Sequence, residues 1–208
     1  MFIVFVLTNF YFRLTHLHWG FTIMRNQHLK MMVVAALFAA IIGVAAQIII
    51  KIPPVPFTGQ TLAIMLTATI LGKRYGTLSV TLYVLMGIIG IPVYSGMMSG
   101  LGVIFGPTGG YIIAFIPGAF LIGFMVEKFG HSTIGSIIAN IVGAMLILVI
   151  GSIWLKFFGH LNWSGAFQGG MLPFIIPDII KAAGAAIVGS VLYKRLIAAR
   201  LLPTQSAV

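Results

Sequence analysis

Leu172-Pro173-Phe174-Ile175-Ile176-Pro177-Asp178-Ile179-Ile180-Lys181-Ala182-Ala183-Gly184-Ala185-Ala186-Ile187-Val188 is an apolar run long enough to cross a bilayer, yet it carries an Asp and a Lys near its start. On a helix, positions i and i+3 are neighbours, about 5–6 Å apart at Cβ. Asp178 and Lys181 therefore project toward one face. Ionisable groups within a membrane span are costly and mark functional sites by default. Two readings of the pair stand: the polar half of a ligand site, or an internal ion pair that fixes helix packing.

The composition agrees with a membrane setting. Of 208 residues, 60% are hydrophobic and 7% charged, whereas soluble domains carry about 25% charged residues. Apolar runs of span length recur, which predicts a polytopic α-helical protein and argues against the short alternating strands of a β-barrel. The net charge of +10 resides mainly in connectors and tails. Anionic lipid at a cytoplasmic membrane surface is the partner this suggests, rather than nucleic acid. The absence of cysteine excludes disulfides, thiolate metal sites and cysteine nucleophiles.

Working outward from the opening stretch, residues 1–29 read as an N-terminal tail, interfacial or disordered, 30–195 as one transmembrane domain and 196–208 as a C-terminal cytoplasmic tail. Arg13 follows the first apolar run instead of preceding it, and no small-residue cleavage site is present, unlike a signal peptide. Met24-Arg25-Asn26-Gln27-His28-Leu29-Lys30 is a basic lead-in that offers an alternative start. The first span is expected over Met31 to Ile50. Ala35 and Ala39, with a parallel row at Ala36 and Ala40, lie four residues apart, so that face admits another helix backbone closely. It serves packing in the bundle or docking of another protein.

Lys51-Ile52-Pro53-Pro54-Val55-Pro56-Phe57-Thr58-Gly59-Gln60 contains three prolines and predicts a rigid extended loop. The apolar run from Thr61 to Gly72 is short for a span, so the helix is expected to begin near Thr58, with the loop dipping to membrane depth. A third span is expected over Thr77 to Ile91. The uncharged, glycine-rich stretch from Tyr94 to Tyr111 suits a lid over a pocket. Spans four and five are expected over Tyr111 to Val126 and Thr133 to Leu155; Asn140 in the fifth either bonds across helices or faces a cavity. An aromatic interfacial loop, Lys156 to Gly165, leads into the opening stretch, which forms the sixth span to about Tyr193.

With six spans, the two termini, Lys73, Arg74, Lys128, Lys194, Arg195 and Arg200 share one side, and Lys51 and Lys156 lie on the other. The positive-inside rule makes both termini cytoplasmic. The fold class expected is thus an all-α integral membrane protein of the cell membrane, a bundle of six transmembrane helices whose loops cap an outward-facing pocket. Asp178 and Lys181 stand beneath those loops. With no second membrane carboxylate, no ATP-binding motif and no histidine at metal-ligand spacing with a carboxylate, no catalytic residue, metal or cofactor is assigned.

Four fragments carry a resemblance: Val55-Pro56-Phe57-Thr58-Gly59-Gln60-Thr61, Gly87-Ile88-Ile89-Gly90-Ile91-Pro92-Val93, Gly106-Pro107-Thr108-Gly109-Gly110-Tyr111, and Pro177-Asp178 with Lys181. Together they resemble the BioY family, the biotin-specific S components of energy-coupling-factor (ECF) transporters. The resemblance runs from about Lys30 to Tyr193. It implies capture of biotin at the outer face and delivery driven by a transmembrane coupling subunit and two ATP-binding-cassette ATPases. It implies that the Ala35/Ala39 and Ala36/Ala40 rows dock that coupling subunit. It also implies a site in which Asp178 accepts hydrogen bonds from biotin, Lys181 supplies a cation and Asn140 a neutral polar partner. Phe57, Tyr94, Phe105 and Tyr111 would wall the ring, with Thr58, Gln60, Thr108, Gly109 and Gly110 closing over it. The competing expectations are an S component or solitary carrier for another small acidic vitamin, and a structural or assembly protein without ligand.

Overall fold

The computed structural model describes residues 27–50, 55–199 and 201–202. The expected N-terminal tail lies almost wholly outside the described residues, as does most of the C-terminal one. The chain divides into Met1–Val34 and Ala35–Val208, and the architecture below is that of the second unit.

Helix α1 spans Gln27–Ala45, so it starts before Met31 and stops short of Ile50. Its end is a change of state: Ile49–Ile50 form a short strand, β1, antiparallel to β2 at Phe57–Thr58. β-branched residues favour the pleated conformation once the helix ends. From Ala35 onward, Ala35, Ala39, Ile42 and Ala46 are buried, whereas Ala36 and Ala40 are exposed. The two alanine rows thus lie on different faces.

Helix α2, Gln60–Ile88, is broken at Gly72, where φ is 72° and ψ is −172°. Only glycine adopts that conformation without strain. The chain folds back there, and residues 60–71 and 73–88 run antiparallel. A Cβ on Gly76 would lie 3.0 Å from Ala68 Cα, and Gln60 Nε2 near one end reaches the Tyr83 hydroxyl near the other. Glu127 secures the reversal. Its Oε1 accepts from the Lys73 backbone N–H at 2.8 Å, capping the second half, and its Oε2 pairs with Lys73 Nζ at 3.2 Å.

After α2 comes the uncharged connector, which contains a 3-10 turn at Ser95–Met97 and the short helix α3, Leu101–Ile104. Helix α4 (Gly109–Lys128) and helix α5 (Thr133–Phe158) follow, α5 beginning at Ser132, whose hydroxyl accepts from Gly135 N. The aromatic loop is shorter than expected. Asn162 caps a helix α6, Trp163–Gly170, by accepting from Gly165 N at 2.7 Å. Helix α7, Leu172–Ala198, starts with Pro173 in its first turn and continues through Pro177.

α2 packs on α4 and α7, and α5 also packs on α4 and α7, enclosing a core that includes Ile64, Met65, Tyr83, Phe115, Ile122 and Ile147. The α4–α5 contact is built from side chains seated over glycines. A Cβ on Gly118 would lie 2.6 Å from Ile147, on Gly143 2.2 Å from Ile122, on Gly151 2.1 Å from Tyr111 and on Gly110 2.1 Å from Trp154. Such packing replaces the hydrophobic drive that lipid cannot supply. Among the described residues, Gln27–Ala45, Gly109–Lys128, Thr133–Phe158 and the stretch Trp163–Ala198 are long and apolar enough to cross a membrane. The architecture is that of a helical multi-pass membrane protein.

Candidate functional site

The start of α7 places Phe174, Asp178 and Lys181 along one side of a cleft, because positions four and three apart share a helix face. Thr58 from β2, with Gln60 and Thr61 from the first turn of α2, faces them. Thr108, Tyr111, Ile112 and Phe115 recur at helical spacing around the start of α4 and form another wall. Val55, Pro56, Ser95 and Leu148 complete the lining. The cleft is partly open to solvent and its lining is mostly apolar, the character of small-molecule sites.

At the centre, Lys181 Nζ lies 3.1 Å from Asp178 Oδ1, with side-chain exposures of 11% and 3%. It also donates to Thr61 Oγ1 at 2.8 Å and to Thr58 O at 3.0 Å. An ammonium has three N–H donors, and all three are occupied. The Phe57 ring covers the same ammonium, its centroid 3.8 Å from Nζ, a cation–π contact. Thr61 Oγ1 in turn donates to Asp178 Oδ1 at 3.3 Å. Both contacts to the carboxylate fall on Oδ1, and among the described residues nothing bonds Oδ2. The two alternatives for the pair are therefore compatible. It is an internal ion pair, and it also leaves an anionic acceptor at an otherwise mostly apolar cleft.

Several other polar groups are already committed. Gln60 Oε1 accepts from Thr58 Oγ1 at 2.8 Å while its amide N–H₂ meets Tyr83. The Tyr111 hydroxyl donates to Gly170 O at 2.7 Å, so that its ring, not its O–H, is what it offers. Six residues expected around the ligand do not line the cleft: Phe57, Tyr94, Phe105, Gly109, Gly110 and Asn140. The Tyr94 hydroxyl donates to Val84 O at 2.7 Å and its ring packs edge-on against Tyr83; burial pushes this phenol up to about 12. Phe105 is 65% exposed. Asn140 bonds across helices, its Oδ1 accepting from Thr69 Oγ1 at 3.2 Å and its Nδ2 donating to Ala182 O at 3.4 Å. Gly109 and Gly110 permit close packing: a Cβ on Gly109 would meet Ile104 O at 1.6 Å, and one on Gly110 would meet Trp154.

Thr61, Ser95 and most of the apolar wall were not anticipated from sequence. A signal existed for Ile112 and Phe115, which extend the spacing of Thr108 and Tyr111 by one helical turn. Phe174 likewise stands four residues before Asp178.

Residues 19–198 match the BioY family. Biotin transporter BioY2 of Lactococcus lactis subsp. cremoris (strain MG1363) is 45% identical over 173 residues, which cover 83% of this chain and 95% of that protein. Biotin transporter BioY of Thermotoga maritima is 40% identical over 160 residues, 77% of this chain and 94% of the relative. Among solved structures, the S-component for biotin from an ECF-type ABC transporter matches with a TM-score of 0.75 at 32% identity, over 81% of this chain and 93% of that one. With the match running through α1 to α7 and relatives covered along nearly their whole length, the chain belongs to the BioY family.

Proposed function

We propose that this chain is the biotin-binding S component of an ECF-type uptake transporter, a multi-pass membrane subunit and not an enzyme. Its family, its relatives named as biotin transporters and its structural likeness to a biotin S-component support that function. The observation that carries the chemistry is the unbonded Asp178 Oδ2 at a mostly apolar cleft. Biotin has a ureido group with two N–H donors, an apolar thioether ring and a carboxylate tail. A carboxylate acceptor beside apolar and aromatic walls suits the ureido edge and the ring. Lys181, with its donors occupied, holds Asp178 and the Thr58 strand in place instead of pairing with the biotin carboxylate. Phe57 shields that ammonium, and Thr58, Thr108 and Tyr111 bound the bicyclic ring.

The finer assembly belongs to the same proposal. The cleft opens outward, both halves of α2 count as crossings in a six-span bundle, and the termini are cytoplasmic. Lys73 at the break of α2, Lys128 at the end of α4 and Lys194 and Arg195 near the end of α7 lie away from the helix starts that line the cleft, which supports this orientation. A transmembrane coupling subunit and two ATP-binding-cassette ATPases drive delivery. The exposed Ala36 and Ala40 offer the docking row, with Ala35 and Ala39 packed beneath. Titration of the purified protein with biotin tests the reading, alongside a panel of other acidic vitamins. Saturable binding confined to biotin supports it; preference for another vitamin, or no small-molecule binding, sinks it.

A further inference from the structure

The outer end of α1 grips both lips of the cleft. On one lip, β1 pairs with β2, and Gly59 N–H donates to Ile48 O at 3.0 Å, so cleft-lining Thr58 arrives on a strand tied to the end of α1. The approach is close: a Cβ on Gly59 would lie 2.5 Å from Ala45 O. On the other lip, the connection runs through one side chain. Gln47 Nε2 donates to Tyr94 O and to Gly43 O, each at 3.0 Å, with Val93 O at 3.5 Å. Its Oε1 accepts from the Met97 backbone N–H at 3.0 Å.

Those contacts bracket the turn that carries cleft-lining Ser95. The turn is closed by Tyr94 N–H donating to Met98 O at 3.1 Å, and it holds Gly96 at φ 72° and Met97 at φ 60°. A left-handed non-glycine residue persists where its surroundings hold it. Met97 is 63% exposed, so side-chain packing does little of that holding. A primary amide suits the task because one end donates to carbonyls while the other accepts an N–H. A carboxylate lacks the donors, and an alkyl chain lacks both.

We propose that Gln47 is a positioning residue for ligand retention. It fastens the 94–98 turn, and Ser95 with it, over the cleft, and so sets how long a bound molecule stays. This inference rests on the biotin reading above. It is tested by loading the full purified chain with radiolabelled biotin and chasing with unlabelled biotin. Gln47→Ala and Gln47→Leu should release label about tenfold faster, the change that loss of one ordinary hydrogen bond produces. Association should stay within about twofold, and the melting temperature of the ligand-free protein should be kept, a combination that a merely structural role would not give. Gln47→Glu keeps an acceptor for Met97 N–H but turns a carboxylate toward Tyr94 O, and should release at least as fast as Gln47→Ala. Because the natural chain has no cysteine, Gln47→Cys with Met97→Cys can be bridged by a short thiol-specific cross-linker; bridging should restore slow release. Binding with unaltered release in the Gln47 variants, or equal release with and without the bridge, overturns the inference alone. No biotin binding by the unsubstituted chain overturns the functional reading and the inference together.

Discussion

Two ion pairs among the described residues are almost equal in length and differ in nearly everything else. Asp178–Lys181 spans 3.1 Å with side chains 3% and 11% exposed; Glu127–Lys73 spans 3.2 Å with side chains 25% and 48% exposed. They stand at opposite ends of the first half of α2, one touching Thr61 and the other just past Gly72. Around the first, desolvation makes each hydrogen bond matter, and removing one partner strands the other. Around the second, water and salt weaken the charge–charge attraction. What remains there is geometric: Glu127 caps the Lys73 backbone and holds a glycine reversal. The same chemistry lines the cleft at one end and holds a chain reversal at the other.

The sharpest way to break this contrast is at Asp178. Asp178→Asn should lower biotin affinity by about 10- to 100-fold, read by titration, since a hydrogen bond to a charged group is worth roughly 1.5–3 kcal/mol. Lys181→Met should also weaken binding and, because Thr58 O, Thr61 and Asp178 lose their shared donor, lower the thermal midpoint of the ligand-free protein. Unchanged affinity in both variants would remove the pair from the site. Next in size is Gly72→Ala, which places a Cβ 2.4 Å from Glu127 Oε1 at a backbone conformation reserved for glycine. A loss of about 1–3 kcal/mol in stability is expected, with biotin affinity of the folded fraction retained.

Smaller effects sharpen the other end. Lys73→Ala should shift the melting transition by less than about 1 kcal/mol, and less still in high salt. Glu127→Ala should exceed it, because the backbone cap goes too. Equal effects would show that the cap adds nothing. Smallest is His131, in the connector between α4 and α5, whose Nδ1 lies 3.2 Å from Thr69 O and whose ring stacks on Tyr193 at 3.5 Å. Burial lowers its pKa, against the upward pull of the Thr69 bond and of Glu127. The folded state thus prefers the neutral ring. Its stability contribution is complete above the unfolded value of about 6.5 and declines as pH falls through it toward the lowered folded value. His131→Asn, which tolerates the φ of 53°, should flatten the dependence of melting temperature on pH between about 7 and 5.

What the chain disclosed in advance followed the rules of local spacing. Asp178 and Lys181 share a face because three residues on a helix bring them together, and the reversal before Lys73-Arg74 was marked by charge after a short apolar run. The end of α1 was missed because Ile48, Ile49 and Ile50 are as apolar as the helix before them, and hydropathy does not distinguish helix from strand. The first turn of α6 lies in a stretch whose aromatic character suggests a loop, although Asn162 with Gly165 three residues later is a capping arrangement. Tyr94 and Phe105 were assigned to the cleft from a stretch without periodicity, where nothing local says which way a ring turns. Gln47 escaped notice for a related reason. Its partners lie up to 50 residues away, and a single amide at the end of an apolar run has no local signature.

The glycine seats between α4 and α5 have a mechanical consequence. Tyr111 and Ile122 of α4 fit over Gly151 and Gly143 of α5, while Ile147 and Trp154 of α5 fit over Gly118 and Gly110 of α4. Teeth projecting from both sides make a rack that resists sliding in either direction, since translation of one helix must lift four side chains from their seats at once. Tyr111, Ile112, Phe115 and Leu148 therefore ride on an interlocked helix pair that holds this wall of the cleft in register.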